Sequence, residues 1–194
     1  MTPVLASVRS ARNGTLGAVT TPPFPPVSEV DLDVLREQLG RSARGVVGIA
    51  ARCVCGNPTV VATAPRLPDG TPFPTFYYLT HPAATAAMSA LEADHVMREL
   101  NDELAEDEEL RARYRAAHEA YLRDRAHFGE VPEIEGISAG GMPTRVKCLH
   151  AVAGHALAAG PGVNPIGDRA LELASWSPER CVCATPGPNL GRAA

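Results

Sequence analysis

The sequence predicts an α+β fold, in which a small antiparallel β-sheet is packed by a helical hairpin and by a helix that carries Cys and His residues. Two observations predict this fold. Short segments rich in β-branched residues, separated by turn residues, lie between residues 45 and 80. Apolar residues at helical spacing follow from residue 82. With 194 residues, 45% of them hydrophobic, the chain can form a domain with a core.

We expect three parts along the chain: a flexible Pro-rich leader over 1–26, a single α+β domain over 27–183 and a flexible tail over 184–194. The leader ends in "TPPFPP", whose proline rings exclude a helix. This stretch could be a polyproline ligand, but a linker is the favoured interpretation. The end of the chain, "TPGPNLGRAA", is expected to fray.

The first half of the domain is expected to hold one helix and three strands. "VSEVDLDVLREQLG" predicts a helix with Ser28 as its N-cap, Asp31 in the first turn and Gly40 as its stop. "GVVGIAARCV" and "TVVATAP" predict two strands joined by the turn "CGNP". "TFYYLT" predicts a third strand, reached through the loop "RLPDGTPFP".

The second half is expected to be helical. Pro82 suits the first position of a helix capped by Thr80 or His81. Asp107 is the expected cap of a second helix that runs to about Phe128 and completes the hairpin. "TRVKCLHAVAGHALAAG" predicts a third long helix, "PGVNPIGD" a loop, and "RALELASW" a short last helix.

Composition narrows the possible functions. The net charge of −4 gives no overall basic field for nucleic acid, so no nucleic-acid partner is expected. No apolar run reaches the roughly 20 residues that span a bilayer, and the start of the chain does not resemble a secretory signal. We therefore expect a cytoplasmic protein without membrane insertion, in which reduced cysteines favour metal or thiol chemistry over disulfides.

Four of the five cysteines form two Cys-x-Cys pairs, Cys53 with Cys55 and Cys181 with Cys183. Residues i and i+2 of a strand point to the same face, so Cys53 and Cys55 can present two thiols side by side. Zinc accepts four sulfur or nitrogen ligands. Cys-x-Cys is a weaker signal than Cys-x-x-Cys, but its recurrence strengthens the indication of a metal site.

The fifth cysteine, Cys148, lies close to two histidines in "VKCLHAVAGH". His155 is two helical turns away, roughly 10 Å along the axis, so it can share an ion with Cys148 only if Cys148 precedes the first turn. His150 could turn toward a metal at the helix N-terminus, where the dipole favours a thiolate. His81, at the end of the third strand, could lie near Cys53. Small buried cysteines without a ligand are the alternative.

A possible anion site lies just before the same helix. "TRVK" places Arg145 and Lys147 near the expected helix start, where backbone N–H groups and basic side chains attract anions. A solvated basic turn is the alternative interpretation.

Three segments, "RCVCGNPTVVATAPRLPDGTPFPTFYYLTHP", "LEADHVM" and "GGMPTRVKCLHAVAGHALAAGPGVNPIGD", resemble the bacterial family called domain of unknown function 501, over about residues 34 to 175. The resemblance implies no established activity. Genes of this mostly actinobacterial family tend to lie near those for enolase, a septum-formation initiator and an exopolyphosphatase. Such a setting implies a link to cell division or to phosphate metabolism.

The resemblance also implies a ligand set. Similar family members usually carry Arg-Cys at Arg52 and Cys53 and Lys-Cys-Leu-His at 147–150, and often a cysteine in place of His81. A zinc shell tolerates the exchange of cysteine and histidine more readily than a cluster held by four thiolates does. Zinc is therefore favoured over an iron–sulfur cluster, with the ligands Cys53, His81, Cys148 and His150. Four further candidates are less supported: Cys55, His155, Cys181 and Cys183.

Three functions remain open at this point. The first is a metal-binding protein in which the ion is structural. The second is an enzyme that uses the Cys148 thiolate or a metal-bound water. The third is a metal-free interaction module of the division machinery that works through its helical hairpin.

Overall fold

A computed structural model describes residues 22–187. Within that range the chain forms six α-helices and one three-stranded antiparallel sheet, which confirms the predicted α+β class. Residues 1–21 of the expected leader and 188–194 of the expected tail lie outside the described residues. In chain order the elements are α1 Glu29–Leu39, β1 Val46–Arg52, β2 Pro58–Thr63, β3 Tyr77–Leu79, α2 Pro82–Ala93, α3 Val96–Glu106, α4 Glu108–Ala126, α5 Leu149–Ala159 and α6 Pro165–Leu173.

The sheet has the order β1-β2-β3, and β2 is buried along its whole length. Strand β1 pairs with β2 from Val46 opposite Thr63 to Arg52 opposite Pro58, with three irregular steps in the register. The turn between these two strands carries the first Cys-x-Cys pair.

The first helix begins as predicted and is tied to the end of β1. The Ser28 hydroxyl accepts the N–H of Asp31 at 3.1 Å, and the Asp31 carboxylate accepts the N–H of Ser28 at 3.3 Å. The same carboxylate pairs with the Arg52 guanidinium at 2.6 Å. Burial alone would raise the pKa of Asp31, but hydrogen bonds from Arg52 and Ser28 lower it. The carboxylate thus holds α1 against the strand end that leads into the cysteine turn.

The predicted helix break at Asp107 is confirmed, and a second break was not predicted. Asp107 separates α3 from α4, and its carboxylate accepts the N–H of Leu110 at 2.9 Å. The second break lies at His95, which has a left-handed φ of 64° and separates α2 from α3. A non-glycine residue is uncommon in that region, so the residue types gave no signal for it.

The prediction for the last helix was wrong at its start. The sequence predicted a loop over "PGVNPIGD", but α6 begins at Pro165. The side chain of Asn164 accepts the N–H of Gly167 at 2.9 Å, so Asn-Pro serves here as N-cap and first helical residue. Gly167 lies so close to α5 that an added Cβ would be 2.2 Å from the carbonyl oxygen of Val152.

The core joins the sheet to the helices through large aromatic side chains. Tyr114, Ala117 and Tyr121, part of the predicted apolar stripe of α4, are completely buried. The Tyr121 hydroxyl donates to the carbonyl oxygen of Pro74 at 3.1 Å and accepts the N–H of Phe76 just before β3. This hydroxyl therefore pairs the backbone N–H of buried Phe76 with the carbonyl oxygen of half-buried Pro74.

We predict that Tyr121→Phe lowers the free energy of unfolding by about 1–3 kcal/mol, because the buried N–H of Phe76 loses its partner. Tyr114→Phe is the matched control, since that hydroxyl only donates to the Arg145 carbonyl oxygen at 3.3 Å. Urea denaturation of the two variants measures the difference. Equal losses would contradict the assigned role of the Tyr121 hydroxyl.

Candidate metal centre

Four cysteine sulfurs from distant parts of the chain converge at one end of the sheet. Cys53 and Cys55 come from the β1–β2 turn, and Cys181 and Cys183 from the segment after α6. All four Sγ atoms lie within 4.8 Å of one another. The first two cysteines are buried and the last two are half-buried.

The β1–β2 turn is held by its own backbone. Cys53 N–H donates to the Asn57 carbonyl oxygen at 2.9 Å, and Gly56 N–H donates to the Cys53 carbonyl oxygen at 2.8 Å. Gly56 has a φ of 98°, a conformation that glycine adopts without strain. The Arg52 guanidinium donates to the Gly56 carbonyl oxygen at 2.8 Å. The turn therefore presents the sulfurs of Cys53 and Cys55 from a fixed backbone.

The C-terminal segment is fastened to this turn by hydrogen bonds. Val54 N–H donates to the Pro178 carbonyl oxygen at 3.0 Å, and the Asn57 amide donates to the Thr185 carbonyl oxygen at 2.8 Å. A Cβ at Gly187 would lie 2.5 Å from the Asn57 side-chain oxygen, so only glycine allows this approach. Residues 184–187, expected to belong to a flexible tail, thus contact the turn.

The spacing of the sulfurs fits ligands of a single ion. Cys55 Sγ and Cys183 Sγ are 3.6 Å apart. A disulfide bond measures about 2.05 Å. Four sulfurs at about 2.3 Å from a tetrahedral zinc ion are about 3.8 Å apart. The other sulfur pairs lie within 4.8 Å, so shifts of about an ångström at most would bring all four sulfurs to this spacing.

Hydrogen bonds within the group favour a thiolate at Cys55. Burial alone would raise the pKa of this thiol, but the backbone N–H groups of Gly187 and Asn57 and the thiols of Cys181 and Cys183 lower it to about 7. The two backbone N–H groups would also share the negative charge of a metal-bound sulfur at Cys55.

Two other thiols of the group are held in the neutral form. Burial raises the pKa of Cys53 to about 11 and also raises the pKa of Cys183. A metal ion would therefore displace protons from both groups as it binds near pH 7.

His81 lies against one sulfur of the group. It is the N-cap of α2, and its Nδ1 accepts the N–H of Ala84 at 3.4 Å. That bond leaves the proton on Nε2, which lies 3.2 Å from Cys183 Sγ. The ring is buried beside Trp176, and burial lowers the pKa of His81. A neutral His81 therefore donates a hydrogen bond to the sulfur of Cys183.

Cys148 and His150 belong to a different group, together with Glu92. Cys148 is the residue just before α5, and its Sγ is 3.9 Å from His150 Nδ1. The same nitrogen is 3.1 Å from the carboxylate of Glu92. The hydrogen bond with Cys148, and then the Glu92 carboxylate, raise the pKa of His150 to about 9 although burial opposes the shift. The structure thus divides the four favoured ligand candidates between two places.

His155 lies outside both groups. Its side chain is completely buried in α5, stacked on Tyr77 with ring centroids 5.6 Å apart. Its Nδ1 is 3.1 Å from the side-chain nitrogen of Asn164, which donates to it. Burial lowers the pKa of His155 to about 4, so the ring is neutral. His155 is a core residue with its acceptor nitrogen already paired.

Arg145 and Lys147 are exposed and lie before α5. Both line a cavity of about 640 Å³, whose wall also includes Cys148 and His150. The basic pair therefore lies beside the second group of candidate ligands.

The family model described as "Protein of unknown function (DUF501)" matches residues 49–172, which is more than half of the chain. The chain belongs to this family. No curated protein and no solved structure matches it. Among the helices of residues 22–187, none is long and apolar enough to cross a bilayer.

The region matched by the DUF501 model covers the two groups unequally. It contains Glu92, Cys148 and His150 entirely. Of the four clustered sulfurs it contains those of the β1–β2 turn, whereas Cys181 and Cys183 follow its end. Sequence reasoning did not single out Glu92, because a glutamate in the last turn of an amphipathic helix has no distinguishing pattern.

We predict that His155 makes the stability of the protein pH-dependent. The pKa of this histidine is about 4 in the folded state and 6.5 in a model peptide. The unfolded chain therefore binds the proton first, and stability falls as the pH drops from above 6.5 toward 4. The contribution amounts to about 3 kcal/mol between pH 7 and pH 4.

Urea denaturation of the wild type and of His155→Leu at pH 7 and pH 4 measures the contribution of His155 to the pH dependence of the free energy of unfolding. The variant should lose less stability than the wild type over this interval, whatever its stability at pH 7. Identical losses would show that His155 is not held neutral by burial.

Proposed function

We propose that this protein binds a zinc ion through Cys53, Cys55, Cys181 and Cys183, and that the ion fastens the C-terminal segment to the β1–β2 turn. One observation carries the proposal. Four sulfurs, two of them 128 positions apart in the chain, lie within 4.8 Å of one another. Free cysteines that only fill space have no reason to gather in one place.

Zinc suits this arrangement better than an iron–sulfur cluster does. Structural zinc sites have four protein ligands in a tetrahedron around one ion, often four cysteines. A four-iron cluster binds each thiolate to a different iron atom, so its cysteine sulfurs lie farther apart than ligands of one ion. The compact spacing of the sulfurs in this protein therefore favours a single ion.

The proposed role of the ion is structural. Four protein ligands close the coordination shell, so no position is left for a substrate. Because the ligands come from both ends of the domain, metal binding would stabilise the folded state over the unfolded chain. Residues 27–183 would then form the single domain that the sequence predicts. His81 would act as an outer hydrogen-bond donor to Cys183 and not as a ligand.

The cellular setting is also a proposal. Reduced thiols of this kind persist in a reducing cytoplasm, which is where we place the protein. The resemblance to family members with genes near those for a septum-formation initiator and an exopolyphosphatase supports a link to cell division or phosphate metabolism. An adaptor stabilised by zinc would fit such a role.

We predict that Cys55→Ser lowers the zinc affinity at least about 100-fold and lowers the Tm of the zinc-loaded protein by about 10 °C. Removing one ligand opens the shell and releases the C-terminal segment. Zinc content of anaerobically purified protein and thermal melts with and without a chelator measure these effects.

Cys148→Ser is the matched control, because it removes a cysteine outside the four-sulfur group. With cobalt as the probe, this control should keep the thiolate charge-transfer bands of the first bound ion, whereas Cys55→Ser should weaken them. Wild-type protein with less than about 0.2 equivalents of transition metal and a melt unaffected by chelator would overturn the proposal. A mass lower by two hydrogens per cysteine pair would indicate disulfides instead.

A further inference from the structure

The group of Glu92, Cys148 and His150 is built around the start of α5. The carbonyl oxygen of Gly140 accepts the N–H groups of Lys147 at 2.7 Å and of Cys148 at 3.3 Å. This loop contact holds Cys148 in an extended conformation before the helix. Cys148 is half-buried and lines the neighbouring cavity.

The neighbours of His150 allow its Nδ1 to act as a ligand once an ion displaces the proton that Cys148 and Glu92 favour on this ring. Its Nε2 lies 3.2 Å from the carbonyl oxygen of Thr85, which can only accept a hydrogen bond. The Nε2 atom therefore carries a proton. A metal-binding histidine typically donates its other N–H to a carbonyl or carboxylate in this way. The Nδ1 atom faces Cys148 and Glu92, on the other side of the ring.

The carboxylate of Glu92 is held in place independently of His150. Its Oε1 atom accepts the N–H of Leu149 at 2.7 Å, at the first residue of α5. A fixed carboxylate loses little conformational freedom when it binds an ion, and its remaining lone pairs are available to the ion.

The distances within this group fit a tetrahedral ion. With bonds of about 2.3 Å to sulfur and 2.0–2.1 Å to nitrogen or oxygen, ligand atoms lie about 3.6 Å apart for a sulfur–nitrogen pair and about 3.3 Å for a nitrogen–oxygen pair. The Cys148 Sγ to His150 Nδ1 distance is 3.9 Å, and the His150 Nδ1 to Glu92 distance is 3.1 Å. Shifts of a few tenths of an ångström would bring these two pairs to the spacing of ligands on one ion, and the Cys148 Sγ atom lies within 4.8 Å of the Glu92 carboxylate.

Three protein ligands leave the fourth coordination position of a tetrahedral ion open, and the cavity next to the group determines what could bind there. Cys148 and His150 lie in the wall of this cavity of about 640 Å³, within the usual range for a small-molecule site. Arg145 and Lys147 also line it, and among residues 22–187 no acidic side chain does. A ligand that binds there meets two positive side chains, which favour an anion.

We propose that Glu92, Cys148 and His150 bind a second zinc ion, and that its fourth position faces the basic cavity and takes an oxyanion, either a phosphate or a carboxylate. Three protein ligands with one open position are typical of zinc sites that act on a substrate. This site shares no residue with the four-sulfur group, so the proposal for it can be tested separately from the proposal of a structural zinc ion.

Metal stoichiometry tests the site directly. Wild-type protein, freed of metal and titrated anaerobically with Zn²⁺, should bind about two equivalents. Glu92→Gln and His150→Gln should each bind about one, while the cobalt spectrum of the four-sulfur group stays unchanged. His127→Gln is the matched control and should bind two, since His127 is exposed and its Nδ1 only contacts the Arg123 carbonyl oxygen.

Two results would overturn the second site. In the first, wild-type protein holds a single ion whose content does not change in Glu92→Gln or His150→Gln. In the second, the histidine control loses as much metal as His150→Gln. Circular dichroism shows whether each variant folds. Because Glu92→Gln and His150→Gln change different ligands, the test remains possible if one of them does not fold. If wild-type protein binds an ion at Glu92, Cys148 and His150 but shows no cobalt bands of a four-sulfur site, only the proposal of a structural zinc ion is overturned.

Anion binding is tested on protein loaded with cobalt at both sites. Inorganic phosphate is added to one sample and acetate to another. At least one of the two anions should shift the visible bands of the second ion, and the one that does so shows whether the site takes a phosphate or a carboxylate. Lys147→Ala should lower the affinity for the anion that shifts the bands roughly tenfold, which corresponds to about 1.4 kcal/mol of binding free energy. Bands that respond to neither anion would overturn the open, anion-binding position.

Discussion

The close packing of α5 determines where both cysteine groups lie. This helix contacts β3, α2 and α6, and its residues from Leu149 to Ala156 are all buried apart from half-buried His150. Such contact requires small residues, most clearly at Gly167, where α6 lies against the α5 backbone. The start of α5 holds Cys148 beside Glu92, and α6 leads the chain toward the turn that bears Cys53 and Cys55. A bulkier side chain at Gly167 would clash with the α5 backbone at Val152.

Local structure was largely predictable because it depends on neighbouring residues. Ser28 and Asp107 are helix caps as their residue types suggested, since a cap satisfies backbone groups within the next three residues. Of the two candidates before Pro82, Thr80 and His81, the cap is His81. The break at His95 has another origin. Its backbone has a left-handed φ, which is uncommon outside glycine. The start of α6 was also predicted wrongly from residue propensities, because Asn164 and Pro165 suit a turn as well as the start of a helix.

The candidate sites were predictable only as residue types. The repeated Cys-x-Cys pattern indicated a metal site, but spacing along the chain does not determine which distant pairs meet. The family resemblance joined Cys53 to Cys148, whereas the structure places their sulfurs in different groups. Glu92 carried no signal because its role depends on α2 ending beside α5. Burial of His155 likewise followed from packing and not from its spacing to Cys148.

Because the four-sulfur group is closed and the second group faces a cavity, the two proposed ions would serve stability and anion binding separately. The central claim is that one zinc ion has four cysteine ligands. X-ray absorption at the zinc edge tests it most directly, on Glu92→Gln protein loaded with a single equivalent of zinc. We expect a first shell of about four sulfur atoms at about 2.3 Å. A shell dominated by nitrogen or oxygen, or one with only one or two sulfurs, would contradict it.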